Sequence, residues 1–196
     1  MAQNNNVSST TPEMNATIAA ALGVVPSGVF VLTAEHEDRR AGMLVSWVQR
    51  VCASPPMLGV AVAKGKPIMP LLSESRKFAL CQLGENDRLL KRKFAQDSEP
   101  GDDPFLGFEL RKSKLGNVPI MKDALAYFEC ELSCHMDVEG DHDLFVGLIH
   151  AAGRETGRPQ VRFDEPADAT PAETAPESQT APESEAPVEP ATDPGA

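Results

Sequence analysis

The segment spanning residues 127–138 constrains the fold most, because apolar and polar residues alternate along it. Every second residue from Phe128 to Val138 is apolar, and the residues between them are acidic or polar. A period of two is typical of a β-strand with one buried face and one solvated face. Gly140 and Asp141 then predict a tight turn, and the apolar run at 144–152 predicts a central strand. The two segments together predict a β-hairpin.

The rest of the first 163 residues indicates further strands separated by turns, with a few short helices. Extended segments are predicted at residues 29–33, 42–51, 57–63, 77–83 and 160–163. Helices are predicted at residues 15–22, 68–74 and 86–95. The first has Asn15 or Thr17 near its cap, and the last has apolar residues at helical spacing. Many strands and few helices predict a mainly β fold, either an antiparallel barrel or a Greek-key sheet.

The net charge of −11 lies almost entirely in the C-terminal tail. Nine of the 29 acidic residues follow Phe163, whereas no Lys or Arg follows Arg162. The part before the tail is therefore nearly neutral. Neither part has the Lys and Arg excess of a nucleic-acid-binding protein or of a protein attracted to anionic membranes. We expect neither nucleic acid nor a membrane as a partner.

Composition divides the chain into three parts. Residues 1–14 are rich in Asn, Ser and Thr and are predicted to be disordered, and residues 15–163 suit one folded domain. Residues 164–196 are rich in Pro, Ala and Glu and contain no aromatic residue, which predicts a disordered acidic tail. This tail is either a solvating segment or a docking arm for a basic partner.

The sequence predicts a cytoplasmic protein with reduced cysteines. Its apolar stretches are much shorter than the roughly 20 residues that span a bilayer. The N-terminal residues lack the basic and apolar regions of a secretory signal. Four cysteines, at positions 52, 81, 130 and 134, are therefore expected to remain thiols.

Several common kinds of site are not predicted. Cys130 and Cys134 fall on the apolar face of the alternating segment and His135 on the other, so one strand cannot direct all three to a zinc ion. Both cysteines are expected in the core. The chain also lacks a Gly-x-Ser-x-Gly nucleophile motif, a Walker phosphate loop and a Gly-x-Gly-x-x-Gly dinucleotide motif.

Five short motifs follow one another in the order found in one known family. They are Pro26-Ser27-Gly28 before an apolar strand that ends in Thr33, Gly42-Met43-x-x-Ser46, Pro55-Pro56, Ala126-x-x-Glu129-Cys130, and Gly140-Asp141-His142 with Gly147. With these motifs the chain resembles the flavin reductase-like family of split-barrel FMN-binding proteins over residues 18–155. The Gly42–Trp47 segment is most similar to the flavin reductase-like domains of cyanobacterial-type diflavin flavoproteins. The resemblance implies a six-stranded antiparallel split β-barrel with Greek-key topology.

The resemblance also implies a function. It is NAD(P)H-dependent reduction of FMN, in preference to FAD, by hydride transfer from NADH or NADPH to flavin N5. It further implies a homodimer with FMN at the interface, and reduced flavin passed to a separate acceptor, for which an acceptor protein is one possibility. Two alternatives stay open: a non-catalytic FMN-binding electron carrier or flavin store, and an interaction module whose tail is the active part.

Site residues follow from the same resemblance. The cofactor-binding candidates are Ser27, Gly42, Met43, Leu44, Val45, Ser46, Trp47, Ala63, Lys64 and Lys66. An extended strand offers backbone groups to the flavin pyrimidine, Gly42 would permit close approach of the ring, and a lysine suits the phosphate. His142 is the candidate catalytic residue, which would position the dinucleotide. The alternatives are a solvated turn for the lysines, a core aromatic for Trp47 and a hairpin-capping role for His142.

Overall fold

The computed structural model describes residues 12–96 and 102–162, which contain eleven strands and three helices. The strands are β1 Ser27–Gly28, β2 Phe30–His36, β3 Arg39–Val45, β4 Val48–Ala53, β5 Pro56–Ala63, β6 Lys77–Gln82, β7 Leu110–Arg111, β8 Ile120–Met121, β9 Ala126–Asp137, β10 His142–Arg154 and β11 Val161–Arg162. Disorder was predicted for residues 1–14 and 164–196. Residues 1–11 and 163–196 lie outside the described residues, whereas residues 12–14 belong to a helix.

The helices are α1 Pro12–Gly23, α2 Ile68–Ser75 and α3 Arg88–Phe94. Helix α1 begins three residues before the predicted start, with a proline at a position where a missing N–H costs little. Helix α2 ends at Ser75 and is capped by Arg76, which is left-handed and donates its backbone N–H to the carbonyl of Leu72 at 3.1 Å. None of the described helices has the length and apolar character needed to cross a bilayer.

Seven antiparallel strands form the main sheet, in the order β3-β2-β6-β9-β10-β5-β4. Two small sheets, β1–β11 and β7–β8, accompany it among the described residues. The mainly β, antiparallel prediction is confirmed, with seven strands in the main sheet where six were expected. The segment predicted as one strand at 42–51 is divided into two, because Ser46 and Trp47 belong to neither of the strands on either side of them.

This interruption determines the shape of the sheet. Strands β3 and β4 lie at opposite edges in the strand order, yet only Ser46 and Trp47 join them. A chain advances at most about 3.6 Å per residue, so a two-residue link requires the two edges to approach each other. The sheet is therefore curled on itself, which is the split barrel that was predicted.

Both faces of the central strands are covered. The inner cluster inside the curled sheet includes Phe30, Leu32, Val60, Val62, Ile68, Leu72, Phe78, Leu80 and Phe145. The outer cluster includes Val29, Val31, Cys81, Leu90, Phe94, Phe105 and Ile120. Successive residues of β2 alternate between the two clusters, as the geometry of a strand requires. Helix α2 thus seals the inner cluster and α3 the outer one.

A β-bulge in β9 changes the predicted faces of that strand. Val146 pairs with Cys134 and Gly147 pairs with Leu132, which leaves Ser133 as an extra residue. A bulge of one residue reverses the alternation beyond it. Cys130 is buried as predicted, whereas Cys134 is exposed and the prediction of a core position for it was wrong. His135 shares the face of its partner Phe145 instead and stacks on that ring, with ring centroids 4.4 Å apart, while its side chain stays 40% exposed.

Glu129 also differs from the predicted pattern, because this carboxylate is buried with 1% exposure. Its Oε2 accepts hydrogen bonds from Ser113 Oγ at 2.6 Å and from the backbone N–H groups of Lys114 at 2.6 Å and Leu115 at 3.1 Å. A buried carboxylate needs such donors to offset its lost hydration. Glu129 therefore anchors the loop that follows β7.

Candidate functional site

An aromatic pair forms at the two-residue link between the edge strands β3 and β4. The ring centroids of Trp47 and His142 lie 4.6 Å apart, with an interplanar angle of 42°. Trp47 is held by its carbonyl, which accepts a hydrogen bond from the N–H of Ala61 at 3.0 Å. His142 begins β10 and pairs with Ala63 of β5. Since Trp47 is 51% exposed, the alternative of a core aromatic is wrong.

The pair lies on the outward side of β4, β5, β9 and β10, next to an apolar surface. Directly paired residues share a face of a sheet, and the pairs Met136–Leu144, Leu144–Ala61, Cys134–Val146 and Val146–Gly59 run across it. We name this surface the outer apolar face, and its members are Trp47, Val51, Gly59, Ala61, Cys134, Met136, Leu144 and Val146. Trp47, Val51 and Met136 are its most exposed large apolar residues.

The predicted flavin-binding strand is the edge strand β3. Met43 and Val45 pack into the inner cluster and Leu44 packs into the outer cluster. Their side chains are thus used in the core, and only their backbone remains for a ligand. Within the part of the chain that the structure describes, β3 pairs with β2 alone, so its other edge carries backbone groups outside the sheet pairing.

A glycine is required at position 42 because two phenylalanine side chains pack against it, which the sequence did not reveal. A Cβ atom there would lie 2.7 Å from Phe94 Cε1 and 3.0 Å from Phe105 Cζ. The expected close approach at this position is therefore made by α3 and the segment after residue 102. Ser46, which follows β3, is half-buried beside Trp47.

Lys64 follows β5 and contacts acidic side chains. Its Nζ donates a hydrogen bond to Asp137 Oδ1 at 2.7 Å and lies 3.6 Å from Asp143 Oδ1. This pairing raises the pKa of Lys64 and lowers that of Asp137. Two carboxylates beside the ammonium oppose the phosphate contact predicted for it. Lys66, two residues on, is half-buried before α2.

His142 and its neighbours form a polar group under the aromatic pair. His142 Nδ1 lies 2.9 Å from Asp141 Oδ1, and this contact lowers the pKa of Asp141. Behind it, Asp143 is buried, and its Oδ2 lies 2.9 Å from His135 Nε2. Sequence reasoning missed Asp143 and His135, because the bulge that places His135 on the face of Phe145 leaves no mark in the alternating pattern.

The structure brings four of the predicted residues together, namely Trp47, Ala63, Lys64 and His142. Ser27 does not belong to the seven-stranded sheet. It pairs with Arg162 in the separate β1–β11 sheet. Among residues 12–96 and 102–162, no three His, Cys, Asp or Glu side chains are arranged to hold a metal ion.

The exposed indole, with the imidazole against it and the small Ala61 and Ala63 alongside, suits a planar aromatic ligand. The unpaired backbone edge of β3 suits a ligand with several hydrogen-bonding atoms along one edge. These two features fit a flavin ring. Its phosphate is less well matched, since Lys64 already has carboxylate partners.

Comparison with protein families gives a match over most of the described chain. Residues 22–164 match the family described as "Flavin reductase like domain". Diflavin flavoprotein A 1 of Synechocystis sp. is 35% identical over 130 residues, which cover 66% of this chain and 22% of that protein. The chain therefore spans less than a quarter of the length of this relative.

Solved structures agree on the fold. The styrene monooxygenase flavin reductase of Pseudomonas putida S12 superposes with a TM-score of 0.64 at 26% identity, covering 75% of this chain and 92% of that one. The NADH:FAD oxidoreductase SgcE6 of Streptomyces globisporus C-1027 gives a TM-score of 0.71 at 24% identity, covering 79% and 92%.

Proposed function

This chain belongs to the family of flavin reductase like domains, and from that premise we propose that it is an NAD(P)H-dependent FMN reductase. In this proposal NADH or NADPH supplies a hydride, and the reduced flavin passes to a separate acceptor. The observation that carries the proposal is the Trp47–His142 pair, which is open to solvent on one side and lies beside an unpaired strand edge.

Each residue contributes by binding or orientation. When bound, FMN would supply the ring that takes a hydride and gives up electrons. Trp47 and His142 would contact aromatic rings, and the backbone of residues 43–46 would meet the polar edge of the flavin. Since Lys64 is held by Asp137, Lys66 is the candidate for the phosphate. No general base is needed for a direct hydride transfer, so His142 acts by position.

A homodimer is part of the proposal, supported by the outer apolar face. Trp47, Val51 and Met136 are exposed apolar side chains on one sheet surface. Large exposed apolar patches mark interaction sites. Because the aromatic pair lies on the same face, a second copy seated there would cover the site from above and exclude water from it.

The test is anaerobic reduction of FMN, and in parallel FAD, by NADH and NADPH, followed by the flavin absorbance. We expect wild-type protein to bleach the flavin, and His142→Ala to lose about tenfold or more in kcat/KM for the nicotinamide, since misplacement of reactants is costly. His150→Ala is the matched control, because His150 lies farther along β10 and contacts Glu131 of β9. Absence of any reduction by the wild-type protein would refute the reductase function.

A second function, an FMN-binding electron carrier, is favoured by one observation. The identity to Diflavin flavoprotein A 1 is 35%, higher than the 24–26% to the solved reductases named above. That relative's name refers to flavin held in the protein. The same experiment distinguishes the two functions, since a carrier would retain bound FMN that NADH and NADPH leave oxidised.

A further inference from the structure

Lys64 joins three chain segments around the turn that carries His142. Its backbone N–H donates to the carbonyl of Asp141 at 2.9 Å. Its ammonium contacts Asp137 at the end of β9 and approaches Asp143 at the start of β10. The two strands of the hairpin, on either side of the turn at 138–141, are thus tied to the turn between β5 and α2.

Asp143 is the buried partner of Lys64 in this group of contacts. It is 6% exposed, and its Oδ1 is a buried oxygen that accepts no hydrogen bond. Its other oxygen lies 2.9 Å from His135 Nε2, and the His135 ring is stacked on Phe145. A buried carboxylate with an unsatisfied oxygen is costly unless a cation compensates it. The Lys64 ammonium lies 3.6 Å from this oxygen.

The turn at 138–141 is solvent-exposed, and its described contacts converge on Lys64 and Asp137. Val138 is exposed, and Glu139 is left-handed with a φ of 58°. The Glu139 N–H donates to Asp137 Oδ1, the same oxygen that Lys64 contacts. His142 lies at the end of this turn, so its position against Trp47 depends on how the turn is held.

We propose that Lys64 and Asp143 are positioning residues that hold the β9–β10 turn so that the His142 ring stays against Trp47. The proposal rests on the proposed flavin reductase function and assigns Lys64 a role other than phosphate binding. The other charged or titratable groups facing the pair are Asp137, His135 and Asp141. Asp137 contacts Lys64, His135 contacts Asp143, and the Asp141 carboxylate contacts His142. Loss of either partner leaves the fold in place and lets His142 move away from the indole.

The first readout needs no flavin, because Trp47 is the only tryptophan in the chain. Its fluorescence in the flavin-free protein reports the contact with His142. We expect Lys64→Met and Asp143→Asn to change the emission in the same direction as His142→Ala. Lys64→Arg keeps the charge and is expected to restore the wild-type emission. Lys112→Met, at an exposed lysine outside this group, is the matched control.

The second readout is kinetic. Lys64→Met is expected to lower kcat/KM for NADH by about ten- to a hundredfold, as a small misplacement can, while the dissociation constant of FMN stays within about twofold of wild type. Weaker FMN binding with unchanged Trp47 emission would make Lys64 a phosphate ligand and overturn the proposal. Unchanged emission in both variants would overturn it as well.

The two readouts separate this proposal from the proposed function. If the wild-type protein does not reduce flavin, the reductase function fails, while the fluorescence of the flavin-free variants still decides whether Lys64 and Asp143 hold His142. Thermal unfolding of each variant identifies any that fails to fold. Lys64→Arg and Lys64→Met change the same partly exposed position, so a difference between them reports the loss of the charge.

Discussion

At the scale of single residues, burial decides the chemistry of the four thiols. Burial raises the pKa of Cys81 and of Cys130 to about 12. A thiol with a raised pKa stays protonated at pH 8 and is a poor nucleophile. Cys134 lies on the surface beyond the bulge in β9, and Cys52 is half-buried.

We therefore expect a thiol reagent such as 5,5′-dithiobis(2-nitrobenzoic acid), applied to protein diluted until it is monomeric, to modify Cys134 quickly at pH 8 and to reach Cys81 and Cys130 only after denaturation. Dilution is needed because Cys134 belongs to the outer apolar face, which the proposed dimer would cover. Mass spectrometry of the modified protein locates the sites. Cys134→Ser should remove the fast phase and leave the others unchanged. Slow modification of Cys134 in the monomeric wild-type protein would contradict its exposed position.

At the scale of elements, the sequence predicted the β9–β10 hairpin well, because its alternation records which residues face the core. It could not predict the bulge at Ser133, since an extra residue leaves the composition of the strand unchanged. It also placed Glu129 in solvent, because the loop that supplies its donors is 14 to 16 residues distant in the chain. Motifs named Trp47 and His142 as separate site candidates, but neither their contact nor the acidic partners of Lys64 was predicted.

Gly147 gives an element-scale prediction for β10. A Cβ atom at this position would lie 2.5 Å from Phe78 Cζ and 2.8 Å from Cys130 Cβ, inside the inner cluster. Gly147→Ala should therefore lower the free energy of unfolding by about 1–3 kcal/mol through overpacking. Urea denaturation followed by circular dichroism measures this change.

The control is Gly140→Ala in the turn before β10. The nearest atom to a Cβ there is Val138 Cγ2 at 4.0 Å, an ordinary contact distance. We expect its free energy of unfolding to stay within about 0.5 kcal/mol of wild type. Equal losses in the two variants would mean that the close contacts of Gly147 do not determine its effect.

At the scale of the whole molecule, the outer apolar face predicts how two copies associate. Met136 of β9 is 42% exposed on that face and pairs with Leu144 of the neighbouring strand β10. Met136→Glu would bury a charge in the proposed interface and should weaken the dimer by about 2 kcal/mol or more. Sedimentation equilibrium at several concentrations measures the dissociation constant.

Leu106→Glu is the control for this prediction, because Leu106 is 82% exposed and follows Phe105, which packs against α3. It should leave the dimer constant unchanged. A wild-type protein that is monomeric throughout the concentration range would refute the dimer, and a dimer insensitive to Met136→Glu would move the interface to another surface.

The two-residue link between β3 and β4 has a consequence for how the chain can vary. Ser46 and Trp47 both close the barrel and carry half of the aromatic pair, so an inserted residue there would open the fold and displace the indole together. The turn between β2 and β3, at Glu37 and Asp38, carries no such double role. A ligand that contacts Ser46 and Trp47 binds only when the barrel is closed. Its binding would therefore raise the free energy of unfolding of the whole barrel.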